Sequence, residues 1–199
     1  MAEFMRRIGS EAPDAPAKRE AAIAGVRLDL LLEELRETTA AQSAGDAVEA
    51  ADGFADMKYV VVGAAVAYGL PMRDLFLAPR EPKAVGPLDA LALARKASMH
   101  LGDVASALES GDLGALGWAL KGLDAAVSTE AAACGFPLRE LFAEVHASNM
   151  TKEAGYRIGA AKYGPGGGKG PGYRPPDIAG VLLSRGWPPG LVRGAGARA

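Results

Sequence analysis

The sequence of 199 residues is short of most of what builds a metal cluster or a disulfide scaffold: it has one cysteine, Cys134, and two histidines, His100 and His146. One thiol cannot close an internal disulfide, and three soft ligands cannot form a zinc finger, so both classes are excluded and a reducing, cytoplasmic setting is expected. Net charge is also lacking, since 22 basic and 24 acidic residues leave a formal -2. A protein that coats nucleic acid through bulk charge is excluded with it. Long apolar runs are missing too. Val60 to Tyr68 is the longest stretch of that kind, well short of the ~18 to 20 residues that span a bilayer, and the opening Met-Ala-Glu-Phe-Met-Arg-Arg lacks an apolar signal-peptide centre. No period-2 alternation of strands is sustained anywhere. The remaining hydrophobic residues, 49% of the chain, suffice for one core or two small ones.

What is present is helical. Proline and glycine mark off an arm at residues 1–19, a linker at 79–87 and a Gly/Pro tract at 164–176. Runs of Ala, Leu, Glu, Arg and Val between them predict helices near 20–42, 46–68, 88–109, 112–134 and 137–152, with Asp46 and Asp112 as N-caps. A shift of 66 positions places Gly45-Asp46 on Gly111-Asp112, and Gly69-Leu-Pro-Met-Arg-Asp-Leu-Phe76 on Gly135-Phe-Pro-Leu-Arg-Glu-Leu-Phe142. The expected fold is all-α: two tandem helical hairpins forming a four-helix bundle as an internal pseudo-dimer. The expected domain covers residues 1–178, with repeat one at about 20–78, repeat two at about 87–152, a substrate-closing loop at about 153–178, and a tail at 179–199.

The two copies differ in chemistry. Glu34, Glu49, Asp52 and Asp56 correspond to His100, Ala115, Trp118 and Gly122, and only Glu37 keeps an acidic counterpart, Asp103. At ~100° per residue, Glu33, Glu34 and Glu37 share a sector opposite Leu28, Leu31, Leu32 and Leu35; Glu49, Asp52 and Asp56, at i, i+3, i+7, share one face of the next helix. A short loop makes the two helices antiparallel neighbours, so the acidic faces meet. Two readings stay open at this point. Six carboxylates can be neutralised by hard divalent cations, which take oxygen ligands and clamp phosphates, or they can form a solvated face paired with bases such as Arg36 and Lys58.

Four blocks, in order, resemble the all-α, MazG-like nucleoside triphosphate pyrophosphohydrolases, which include phosphoribosyl-ATP pyrophosphohydrolase and the dimeric dUTPases. They are Arg27-Leu28 leading into Glu33-Glu34-Leu-Arg-Glu37; Glu49-Ala-Ala-Asp52-Gly-Phe-Ala-Asp56-Met-Lys-Tyr59-Val-Val-Val-Gly63; Glu144-Val-His146-Ala-Ser-Asn149-Met-Thr-Lys152; and Lys169-Gly-Pro-Gly-Tyr173-Arg-Pro-Pro-Asp177. The resemblance implies cleavage of the α–β phosphoanhydride of a (deoxy)nucleoside triphosphate to the monophosphate and pyrophosphate, in control of the nucleotide pool. It implies two or more Mg2+ ions, replaceable by Mn2+, on Glu34, Glu37, Asp52 and Asp56, with Glu49 a direct ligand or a partner of one. Glu33 or Glu34 would orient the attacking water as general base, and Asn149, Lys152, Lys169 and Tyr173 would contact substrate. The family's second motif is Glu-x-x-Asp; counting back from Asp56 lands on Gly53, so the chain instead offers Asp52 at i-4 and Glu49 at i-7, both on the same face. The Glu-Val-His block follows the second, acid-poor copy, which implies one active and one degenerate half, able to stand alone or to pair into a homodimer or higher homo-oligomer. A catalytically silent binding module of the same fold is the alternative. The phosphoribosyl-ATP enzyme ranks below the nucleotide-pool branch, because the proline-rich arm and the two C-terminal blocks look like the latter.

Several other features carry less. Gly164-Pro-Gly-Gly-Gly168-Lys169-Gly170 has the wrong spacing for a P-loop and no Ser or Thr after its lysine; it reads as a linker or as a loop delivering Lys169. His146 and Ser148 face different ways on a helix, which argues against a nucleophilic triad and leaves His146 to local helix-end hydrogen bonding. Trp118 reads as core, Trp187 as part of a poorly structured tail or docking segment, and Cys134 as buried and inert.

Overall fold

The computed structural model describes residues 1–71, 81–82, 84–154 and 167–192. Its elements are α1 (Ala2–Arg7), α2 (Ala21–Ala44), α3 (Ala47–Ala67), α4 (Ala90–Ser110), α5 (Leu113–Cys134) and α6 (Leu138–Asn149), then the two-residue strands β1 (Glu153–Ala154) and β2 (Gly167–Gly168), then α7 (Ile178–Ser184) and α8 (Pro189–Val192). The helices start and stop where local chemistry directs. Asp46 Oδ1 accepts the Val48 and Glu49 amides at the head of α3, and Asp112 Oδ1 accepts that of Ala115 at the head of α5. Gly45 and Gly111 close the preceding helices with φ of 71° and 66°, the left-handed conformation that a Cβ disfavours.

The 66-residue shift is visible in the backbone. The Asp46 amide donates to Ala41 O and that of Asp112 to Ala107 O; the Leu70 amide donates to Ala65 O and that of Phe136 to Ala131 O. Each pair of bonds is related by 66 positions, and the chain is an internally duplicated helical bundle. Residues 72–76 of the longer sequence match lie outside the described residues. In each half the long helices pack as an antiparallel hairpin, α2 on α3 and α4 on α5, and across the halves α2 meets α4 and α3 meets α5. Lys58 of α3 and Asp124 of α5 form an ion pair with side chains only 7% and 1% exposed. They are 66 residues apart. Residues at equivalent positions of two copies touch only near the axis that relates the copies, so this pair marks the pseudo-twofold axis inside the core.

Lys58 is thereby committed to Asp124 and is not a surface base for the acidic face, as one of the two sequence readings had it. Other local expectations give way to tertiary packing. The arm contains α1, whose Phe4 and Met5 are buried, Phe4 meeting Tyr59 edge-on at 5.8 Å. Trp187 is 4% exposed, stacks on Phe136 at 5.0 Å, and donates its indole N–H to Gly135 O at 3.1 Å. Residues 178–192 therefore pack onto the bundle, with Ile178, Leu182 and Val192 in the same core. Trp118 is the converse. It is 73% exposed, with the Lys121 ammonium 5.1 Å from its ring, because the face of α5 that carries it looks outward. Cys134 is buried, and burial pushes its thiol up to about 11, consistent with an inert role.

Candidate functional site

A cavity of about 400 Å3 opens between α3, α6 and the segment after β2, lined by Glu49, Asp52, Asp56, Asn149, Lys152, Lys169 and Tyr173. Seven of the ten site residues expected from sequence thus line one space. Glu33, Glu34 and Glu37 on α2 are outside its lining, yet the charge of Glu34 acts on Asp56 and Asp52 across the hairpin. Glu33 and Glu34 are half-buried, and Glu37 and Glu49 are exposed.

The basic side is assembled by long-range contacts. The end of α6 pins the C-terminal segment: Ser148 Oγ donates to Arg174 O at 2.7 Å, the Arg174 amide donates to Thr151 Oγ1 at 2.9 Å, and the Asp177 amide donates to Glu144 at 2.9 Å. β1 and β2 pair antiparallel with Glu153 opposite Gly168, which sets Lys169 beside the cavity with its ammonium 5.1 Å from the Tyr173 ring. Of the Gly/Pro tract, residues 164–166 lie outside the described residues. Sequence gave His146 a local bond, but its Nδ1 lies 3.2 Å from the Tyr59 hydroxyl on α3. Burial pushes the Tyr59 phenol up, and Asn149 beside it pulls the other way. The sequence signal for Tyr59 is its place at i+3 from Asp56, on the same helix face.

The charges press on one another. Burial, followed by the charges of Asp56, Glu37, Glu33 and Asp52, pushes the Glu34 carboxyl up to about 8. Burial and then Asp52 push Asp56 up to about 7, against the opposing pull of Lys152 and Lys169. Burial and Glu49 push Asp52 up to about 6. Lys152 is lowered by burial, a loss that Asp56 and Glu34 partly offset. Desolvated like charges are being held together, and a cation would relieve them.

The donor set suits a hard divalent ion: carboxylate oxygens only, with Asp52 Oδ1 buried and accepting no hydrogen bond among the described residues. Among those residues no three Asp, Glu, His or Cys side chains already surround a common point, so ligation would draw the carboxylates together.

Glu49-Ala-Ala-Asp52 keeps a Glu-x-x-Asp spacing; only the count back from Asp56 falls on Gly53, and there sterics exclude a glutamate. A Cβ on residue 53 would stand 2.6 Å from Thr38 Oγ1 and 3.0 Å from Thr38 Cα, where α2 and α3 cross closely. No glutamate fits there. Gly53→Ala is expected to destabilise the fold by about 1–3 kcal/mol through overpacking, measured by urea denaturation, and Gly53→Glu to do worse without restoring a ligand. The second half is tightly packed at the corresponding place: a Cβ at Gly122, the counterpart of Asp56, would lie 2.4 Å from Cε1 of His100, the counterpart of Glu34.

An all-α duplicated bundle whose one acidic cleft faces two lysines and an asparagine is the class that fold and cleft define. Residues 1–78 match the family model described as phosphoribosyl-ATP pyrophosphohydrolase. The match supports a nucleotide pyrophosphohydrolase fold, points to hydrolysis of an acid anhydride, and is consistent with the MazG-like superfamily that the motifs resemble. It spans α1 to α3 and so includes none of the C-terminal blocks that ranked the nucleotide-pool branch first. No curated protein and no solved structure matches the chain. No helix among the described residues is long and apolar enough to cross a membrane.

Proposed function

We propose that the protein is a metal-dependent pyrophosphohydrolase that cleaves the α–β bond of a nucleoside triphosphate, releasing the monophosphate and pyrophosphate. The observation that carries this reading is the cavity itself, in which Asp52 and Asp56 face Lys152, Lys169 and Asn149. Glu34, Glu37, Asp52 and Asp56, with Glu49 beside them, would hold Mg2+ or Mn2+. When bound, these ions supply charge neutralisation and make water a better nucleophile. Glu34, with Glu33 adjacent, orients the attacking water and takes its proton. In the metal-free protein burial and the neighbouring acids raise its carboxyl to about 8, and bound cations would lower it toward the ionised form that can accept a proton. Lys152 and Lys169 neutralise the phosphate chain, and Asn149 donates a directional hydrogen bond. Tyr173, under the Lys169 ammonium, closes the far side of the cleft.

The test is a panel of common NTPs and dNTPs, together with phosphoribosyl-ATP, assayed with Mg2+ or Mn2+ and with pyrophosphate and orthophosphate detected separately. Phosphoribosyl-ATP belongs in the panel because the family match carries that name. Pyrophosphate as first product is the expected result, and orthophosphate first would contradict α–β cleavage. Absence of Mn2+ binding at millimolar concentration, with or without nucleotide, would favour a catalytically silent module.

A linked effect on stability is expected. The folded Glu34 carboxyl titrates near 8, above its ordinary 4.5. The folded state therefore binds the proton more tightly, and the stability this confers is full below about pH 4.5 and is lost as pH rises through about 8. In metal-free protein the gap in unfolding free energy between Glu34→Gln and wild type should widen in favour of the variant from pH 5 to 8, by a few kcal/mol at most. Millimolar Mg2+ should narrow it by stabilising the ionised wild type. A pH-independent gap would remove the case for a desolvated, crowded Glu34.

A further inference from the structure

Lys169 is exposed, yet Gly170 beside it is buried, and a carboxylate lies where the Gly170 side chain would be. A Cβ on Gly170 would stand 2.7 Å from Glu153 Cδ, 2.8 Å from its Oε2 and 3.0 Å from its Oε1. A Cβ on Gly172 would stand 3.2 Å from the same Oε1, which also accepts the Gly172 amide at 3.4 Å. Neither glycine has a positive φ, so the backbone conformation does not demand glycine at either place. What demands it is room for the Glu153 side chain.

The carboxylate rests on a turn. The Gly170 amide donates to Gly168 O at 3.0 Å and the Tyr173 amide to Gly170 O at 2.9 Å, so residues 170–173 fold back directly after Lys169. Glu153 reaches this turn from β1, where its backbone pairs opposite Gly168. A ladder of two residues on each strand is too short to fix the chain beyond it, and the Glu153 carboxylate adds a contact two to four residues further on. The turn in its place sets where the Lys169 backbone stands, and with it the reach of an ammonium whose charge acts on both Asp52 and Asp56.

We infer that Glu153 is a positioning residue: its carboxylate holds the turn at 170–173 and thereby keeps Lys169 at the cleft. The kinetic consequence rests on the proposed hydrolase reading, whereas the contact with the turn does not.

The test joins amide hydrogen exchange of the full-length, metal-free protein to steady-state kinetics with Mg2+ and the nucleotide of the panel that is turned over fastest. In Glu153→Ala the Gly170 and Tyr173 amides are expected to exchange at least about fivefold faster. In the same variant kcat/KM should fall about fivefold to tenfold, with the thermal midpoint within about 2 °C of wild type. Glu153→Gln keeps the length and an acceptor oxygen and should recover most of both losses. In a Lys169→Met background, Glu153→Ala should change kcat/KM by less than about twofold, a silence that a general folding defect would not produce. Gly170→Ala puts a methyl group where the carboxylate lies and should reproduce Glu153→Ala, and the two together should be no worse than either alone. Unchanged exchange in Glu153→Ala, equal impairment in Glu153→Gln, or losses that multiply when combined with Lys169→Met or Gly170→Ala would each overturn the role of Glu153. Unchanged exchange beside normal turnover in the wild type would leave the hydrolase reading standing. A wild type that releases no pyrophosphate from any nucleotide would overturn that reading, and exchange would then decide whether Glu153 holds the turn.

Discussion

Glu34→Gln and Asp56→Asn are each expected to reduce pyrophosphate release by a factor of at least about 10^2–10^3, while Asp103→Asn leaves it within a factor of two or so. The contrast follows from the asymmetry of the duplicated bundle. Asp56 lines the cleft and its charge is coupled to that of Glu34. Asp103, the counterpart of Glu37, is 70% exposed, and its ion-pair partner among the described residues is His100 Nδ1 at 3.8 Å. The two site variants should also remain folded, and in metal-free protein near pH 8 they should be at least as stable as wild type, because each replaces a desolvated anion with a neutral isostere. Measuring thermal stability beside pyrophosphate release separates chemistry from folding. Equal loss of activity in all three variants would rule out a single active half.

Lys58→Met is expected to cost about 3–5 kcal/mol in urea denaturation, because it leaves the Asp124 carboxylate, 1% exposed, without its counter-ion. Burial already raises the Asp124 carboxyl, and Lys58 pulls it back. For a domain with ~5–15 kcal/mol of total stability, such a loss is large. Replacing both partners with apolar residues, Lys58→Met with Asp124→Leu, should recover most of it, since a well-packed apolar pair often equals a buried ion pair. The exchange Lys58→Asp with Asp124→Lys is the sharper measurement. Near a pseudo-twofold axis the two positions have similar surroundings, so the exchanged pair should recover at least half of the single-variant loss. No recovery would show that the two halves surround the pair differently.

Features governed by neighbours in the chain were legible before any coordinates. Asp46 and Asp112 act within three residues of their own positions, and the left-handed glycines Gly45 and Gly111 end helices by the same short-range geometry. Helical periodicity put Glu49, Asp52 and Asp56 on one face, and that face lines the cleft. Features governed by distant packing were not legible. Trp118, at the position equivalent to Asp52, reads from sequence as a core side chain, and Trp187, flanked by Gly186, Pro188 and Pro189, reads as either a poorly structured tail or a docking segment, of which the packed indole fits the second. Composition says nothing about which helix face meets a neighbour, and α5 turns the first indole outward while Phe136 and Gly135 bury the second. Lys58 was offered as a surface base, and its actual partner lies 66 residues away. Gly53 was visible as a departure from a motif, but its cause, the contact with Thr38, exists only once α2 and α3 cross.

What the sequence by itself determined was the five helices between residues 20 and 152, the duplication and the acid-rich first copy, since caps, periodicity and repeat spacing act over a few residues or are counted directly. The tertiary structure decided the rest. It brought Lys152, Lys169 and Asn149 to Asp52 and Asp56, buried Lys58 against Asp124 between the two halves, and set His100 against Gly122 in the second copy. These outcomes depend on which surfaces lose water to which, and desolvation is a property of the packed molecule that no local stretch of residues encodes.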